Sequence, residues 1–176
     1  MTSAHSDLQE FLDWRQCECL NQHNEHTLKP MLKGESGKIL QSDCDEELLI
    51  HVTFMQAVKI SALKIEGPKD QAPNKVRLFV NPPSPLDFDS AKDEKATQEL
   101  ELKSADATAE LRFVLFQNVS TLSIFVPGNL GDEEETVISR LVFIGAPIAQ
   151  EGTKRSKEET DASRKGDWLG SGISGS

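Results

Sequence analysis

Residues 48–55 read Leu48-Leu49-Ile50-His51-Val52-Thr53-Phe54-Met55. In an extended chain Leu48, Ile50, Val52 and Phe54 share one face, and Leu49, His51, Thr53 and Met55 share the other. The apolar period is two, not 3.6, so the stretch reads as a strand. The same rhythm recurs downstream. In KVRLFVN (75–81), Val76, Leu78 and Val80 alternate with Lys75, Arg77 and Phe79. QELELK (98–103) sets Leu100 and Leu102 against Glu99 and Glu101, a strand with one wet face. LRFVLF (111–116) alternates Leu111, Phe113 and Leu115 with Arg112, Val114 and Phe116, and TLSIFV (121–126) turns Leu122, Ile124 and Val126 inward. TVISRLVFI (136–144) is apolar on both faces, as a central strand is. Between Val58 and Ile65 the apolar phase slips from even to odd positions, which predicts a bulge.

Turn chemistry separates these runs: Gly67-Pro68, Asn81-Pro82-Pro83, residues 117–120, Pro127-Gly128-Asn129 and Gly131-Asp132. About seven or eight short strands at this spacing predict an all-β fold, an antiparallel sandwich or jelly roll. No βαβ unit, Gly-rich phosphate loop or internal repeat interrupts it. Ser6-x-x-Gln9 fits a capping box, and Leu8, Phe11 and Leu12 then fall on one face, so a short N-terminal helix is expected. From residue 150 onward the chain is polar, Gly/Ser-rich and nearly without apolar residues. Such a composition does not offset the entropy of ordering, so a domain over 8–149 and a disordered tail over 150–176 are expected.

The charge is −10 in 176 residues. Five basic residues balance five acidic ones in the tail, so the whole imbalance sits on residues 1–149. An acidic surface repels phosphate backbones and anionic lipid, which argues against nucleic acid and membrane as partners. No apolar run approaches the ~20 residues of a bilayer span, and no secretory signal is visible at the N-terminus. Three cysteines without a signal argue against a disulfide framework. The expected setting is the cytosol, with the nucleus also open to the chain, and a monomer is expected.

Two features suggest chemistry at first sight. Cys17, Cys19, His23 and His26 place four soft or borderline metal ligands within ten residues. The C-x-C spacing is expected to turn the two thiols to opposite faces, so that only a kinked turn would bring both to one ion. Glu18 between them works against a reactive thiolate. The reading is therefore one cysteine packed inward and the other incidental, with no metal, no cofactor and no catalytic residue assigned. His51 has no nucleophile beside it in the sequence and reads as a packed or surface imidazole. The second feature is acidic: Asp43, Asp45 and Glu46 in one loop, Asp132, Glu133, Glu134 and Glu135 in another. Their spacing matches no calcium loop, and they are the candidate partner-binding residues, a docking patch for a basic protein. In the tail, Trp168-Leu169 is the one bulky apolar pair and reads as a passenger.

Six segments in series carry a family resemblance. CECLN (17–21), LQSDCDEELLI (40–50), VRLFVNPPSPLDF (76–88), TQELEL (97–102), LRFVLFQNVSTLSIFV (111–126) and ISRLVFIGAP (138–147) occur in the same order as in the PITH domain. The chain resembles this proteasome-interacting, thioredoxin-associated family over about Leu8 to Pro147. The resemblance implies a jelly-roll β-sandwich similar to galactose-binding domains, and association with the 26S proteasome regulatory particle. No C-x-x-C occurs in the chain, so the disulfide reductase activity of thioredoxin-bearing relatives is not carried over, and the likeness is closer to stand-alone members. Within the family pattern CECLN marks the entry to the sandwich, with Leu20 expected to plug the core and Asn21 to bond its own backbone as an Asx turn. The resulting expectation is a non-enzymatic protein-interaction module. Its rivals are a carbohydrate- or small-ligand-binding jelly roll and a thiol or zinc function at Cys17 and Cys19.

Overall fold

The computed structural model describes residues 5–148. Its strands are β1 (Ser6–Asp7), β2 (Glu18–Leu20), β3 (Leu40–Gln41), β4 (Leu48–Glu66), β5 (Lys75–Val80), β6 (Gln98–Glu101), β7 (Asp106–Glu110), β8 (Val119–Val126), β9 (Val137–Ile138) and β10 (Arg140–Pro147). Two short helices, α1 (Leu28–Leu32) and α2 (Phe88–Asp93), lie between strands. All the strand pairs are antiparallel.

The stretch that opens β4 is only the first part of a 19-residue strand that serves both layers of a jelly-roll sandwich. Its N-terminal half lies between β2 and β8, with β5 and β6 beyond. Its C-terminal half lies between β7 and β10, with β1 at the edge. Between the halves the pairing jumps from Thr53↔Thr121 to Val58↔Val119, and Met55 stands 64 % exposed. A second irregularity follows. Ile60 faces Gly145 and Ala62 faces Ile144, so Ser61 opposes nothing across that ladder. This is the bulge read from the phase slip: Val58 and Ile60 are buried before it, Leu63 and Ile65 after it. The Ser61 hydroxyl donates to the Ile144 carbonyl at 3.1 Å, and its own carbonyl accepts from the Leu111 amide at 2.9 Å.

Side chains from both layers merge in one core, with Ile50, Val52 and Ile124 from one and Leu63, Leu141 and Phe143 from the other. Phe54 and Phe143 meet edge-to-face at 5.8 Å between centroids. Burying each such side chain contributes about 1.5–3 kcal/mol. A smaller cluster occupies the outer face of the first layer, where Leu49, Phe79 and Phe125 are covered by Leu86 and Ala91. Helix α2 and the loop residue Leu86 before it provide that cover, with the Asp87 carboxylate accepting from the Ser90 amide at 2.8 Å as the helix N-cap.

Several local expectations change. LRFVLF is not a strand: Phe113–Leu115 forms a 3-10 turn, leaving Val114 79 % exposed. The chain there crosses from β7 in one layer to β8 in the other, where no ladder partner exists. TVISRLVFI divides at Ser139, whose amide binds the Glu66 carbonyl at 2.7 Å, so β9 pairs with β3 and β10 with β4. The N-terminal helix is a single 3-10 turn, Gln9–Phe11. Ser6 is drawn into β1, and the Asp7 carboxylate takes the Gln9 amide in place of a serine cap. The tail over 150–176, Trp168 and Leu169 included, lies outside the described residues.

Candidate functional site

The two acidic loops, about 90 residues apart in the chain, meet at one end of the sandwich. The β3–β9 ribbon starts this, pairing Leu40 with Ile138 and Gln41 with Val137. Just beyond it, Ser42 and Thr136 are both fully buried. The Ser42 amide donates to the Thr136 carbonyl and the Thr136 amide to the Ser42 hydroxyl, each at 2.9 Å. The Thr136 hydroxyl donates to the Glu46 carbonyl at 2.6 Å. Buried polar groups are costly without partners, and here each loop supplies the other's.

Each loop also has an internal asparagine frame. Asn21 adopts a positive φ of 69° and does not bond its own backbone. Its Nδ2 donates to Asp45 Oδ1 at 2.8 Å and the Glu47 carbonyl at 2.7 Å, and its Oδ1 accepts from the Cys44 amide at 3.0 Å. The Asx-turn expectation is thus replaced by a clamp on the 43–47 loop. Asn129, 4 % exposed, does the same for the other loop, accepting from the Glu133 amide and donating to the carbonyls of Glu133 and Glu135. Asp43, Asp45 and Asp132 to Glu135 stand exposed, and Glu46 is half-buried. Lys92 engages the loop at Glu47, at 3.1 Å. Ser42, Asn129 and Thr136 escape sequence reading because their role depends on partners far along the chain.

The cysteine stretch is resolved differently from expectation. Cys17 and Cys19 both point into the core, at 1 % and 8 % exposure, with Glu18 outside. Residues two apart in extended backbone share a face, so the expected opposite orientation is corrected. Leu20 does not plug the core; it packs on the outer cluster. Burial pushes the Cys17 thiol up and the Cys19 thiol to about 12. His23 and His26 stack on each other at 5.1 Å, half-buried at the surface. Among the described residues no group of three or more His, Cys, Asp or Glu is placed to hold a metal.

His51 lies on the outer face of β4 opposite Ser123. Its Nδ1 meets the Ser123 hydroxyl at 2.8 Å and its Nε2 the Leu86 carbonyl at 3.1 Å. A carbonyl only accepts, so Nε2 carries the proton, and Nδ1 accepts from Ser123. Burial lowers the imidazole below its ordinary range. The residue ties β4 to the proline-rich loop that precedes α2.

Comparison with known proteins gives the chain's family. The PITH domain model matches residues 1–163. The chain belongs to the PITH domain family. This PITH chain is 36 % identical over 151 residues to Thioredoxin-like protein 1 of Schizosaccharomyces pombe, covering 81 % of itself and 52 % of that relative. It is 31 % identical over 149 residues to PITH domain-containing protein 1 of Danio rerio, covering 79 % and 68 % respectively. The chain thus spans about half the length of the first relative. A similar solved structure is the family 32 CBM from C. perfringens NanJ in complex with galactose, with a TM-score of 0.59 over 80 % of this chain and 98 % of that one. At 10 % identity this likeness concerns the fold.

Proposed function

We propose that this PITH domain is a non-enzymatic protein-interaction module that docks a basic protein surface with its paired acidic loops, and that its partner is the 26S proteasome regulatory particle. The observation that carries the reading is the Ser42–Thr136 staple, which merges Asp43 and Asp45 with Asp132 to Glu135 into one negative end. Acidic residues held on a rigid frame steer a cationic partner and lose little further entropy on binding. Family membership supports the choice of partner. The test is capture of regulatory particles on the immobilised chain, at low and at high salt. Enrichment that falls with salt, and falls again when Asp132, Glu133, Glu134 and Glu135 are all replaced by lysine, supports the reading. No enrichment at low salt removes it.

A sugar-binding reading has the likeness to a galactose-bound module in its favour. Sugar sites rely on aromatic platforms, yet the chain has no Tyr, and Trp14 carries Lys33 over its ring at 5.5 Å. Chemical-shift titration with galactose checks it, and an unresponsive spectrum dismisses it.

A further inference from the structure

Asn81 to Leu86 form an arch held only at its feet. At one foot Asn81 takes a positive φ of 48°, its Oδ1 accepts from the amides of Ser120 and Thr121 at 2.8 and 3.0 Å, and its Nδ2 donates to the Asn118 carbonyl at 2.8 Å. At the other, Leu86 is buried against Phe79 and Phe125 and its carbonyl is taken by His51. Between them run Pro82-Pro83-Ser84-Pro85. Pro83, Ser84 and Pro85 are exposed, and among the described residues the Ser84 side chain takes no hydrogen bond. Proline fixes its own φ and disfavours helical backbone at the residue before it, so Pro83 and Pro85 stiffen a segment that bends at Pro83 and Ser84. Ser84-Pro85 is the only Ser-Pro or Thr-Pro dipeptide in the 176 residues.

We propose that Ser84 is a phosphorylation site for a proline-directed serine/threonine kinase. Such a kinase threads its substrate as an extended segment and requires a residue without an amide proton directly after the acceptor. Pro85 meets the second demand, and the exposed crown Pro83-Ser84-Pro85, bent at Pro83 and Ser84, straightens in the kinase cleft to meet the first. The Ser84 hydroxyl oxygen attacks the γ-phosphorus of a nucleoside triphosphate. The bond to the nucleoside diphosphate breaks, the diphosphate leaves, and the hydroxyl proton passes to the kinase's carboxylate base.

The surroundings also indicate what the phosphate does. The arch roofs a cavity of about 250 Å³ lined by Gln16, Glu18, His51 and Thr121, among others, and none of its lining residues is lysine or arginine. A phosphoserine brings about −1.5 to −2 charges and needs basic partners to fold inward. Finding none here and Glu18 opposite, the phosphate faces solvent. The modification therefore leaves the fold in place and marks the surface for a second protein.

The test uses the full 176-residue chain, a purified mitogen-activated protein kinase and Mg-ATP. The expected result is one phosphate per chain, mapped to Ser84 by mass spectrometry, absent from Ser84→Ala and slowed about tenfold or more in Pro85→Ala. Both variants are expected to melt within about 1–2 °C of the parent, as surface changes do. No incorporation, or incorporation that persists in Ser84→Ala, overturns the proposal. The second arm is the intact mass of the protein isolated from its source cells under phosphatase inhibition. A singly phosphorylated species mapping to Ser84 supports the assignment. An unmodified chain in growing and in stressed cells overturns it.

Discussion

Ser42 and Thr136, both fully buried, exchange two hydrogen bonds of 2.9 Å and thereby fasten two acidic loops from distant parts of the chain. Coulomb repulsion between those loops opposes this contact, and the buried amides and hydroxyls offset it. Ser42→Ala leaves the Thr136 amide without its acceptor and is expected to destabilise the domain by about 1–3 kcal/mol. Chemical denaturation measures it. A midpoint equal to the parent's would show that the staple is not holding the loops.

The cysteines separate cleanly by burial. Cys44 is exposed, whereas Cys17 and Cys19 sit in the core with raised thiol pKa values. Ellman titration of the native protein at neutral pH is expected to give one fast equivalent, and three only after denaturation. Two or three fast equivalents in the native state would contradict the placement of β2.

His51 introduces a pH dependence of definite sign. Burial holds its folded pKa below the ordinary value of 6.5, so on acidification the unfolded chain takes up this proton before the folded one does. The stabilisation is whole above about pH 6.5 and is lost as pH falls below it. The stability gap between the parent and His51→Gln should therefore narrow from about pH 7.5 to about pH 5.5. A gap that widens on acidification would reverse the assignment.

Gly145 faces the bulge on β4. A β-carbon there would collide with the Lys59 carbonyl oxygen, which is backbone and has little room to move. Gly145→Ala is expected to cost about 1–3 kcal/mol through overpacking, read as a lower thermal midpoint. An unchanged midpoint would mean the β4–β10 register differs from the one described.

The all-β architecture was legible because a period of two survives any tertiary context. Leu48 to Phe54, Val76 to Val80 and Leu122 to Val126 each present a face that only a sheet can bury. Even the bulge at Ser61 was legible, since a phase slip in the apolar pattern has no other cheap remedy in a paired strand. The 3-10 turn at Phe113–Leu115 was not, because its residues alternate like a strand. Helix α2 was missed for the opposite reason: FDSAKD is too short and too polar to show a helical stripe.

For the site, local composition named the acidic side chains, and the family pattern marked CECLN as structural. What local sequence left open is long-range. Whether Asp45 and Glu133 belong to one surface depends on Ser42 meeting Thr136, 94 residues away, and on the β3–β9 ribbon that aligns them. Periodicity is written residue by residue and so can be read from the chain alone. Hydrogen bonds between distant loops exist only once the two layers have closed, so the tertiary structure decided where the charge gathers and which cysteines are shielded.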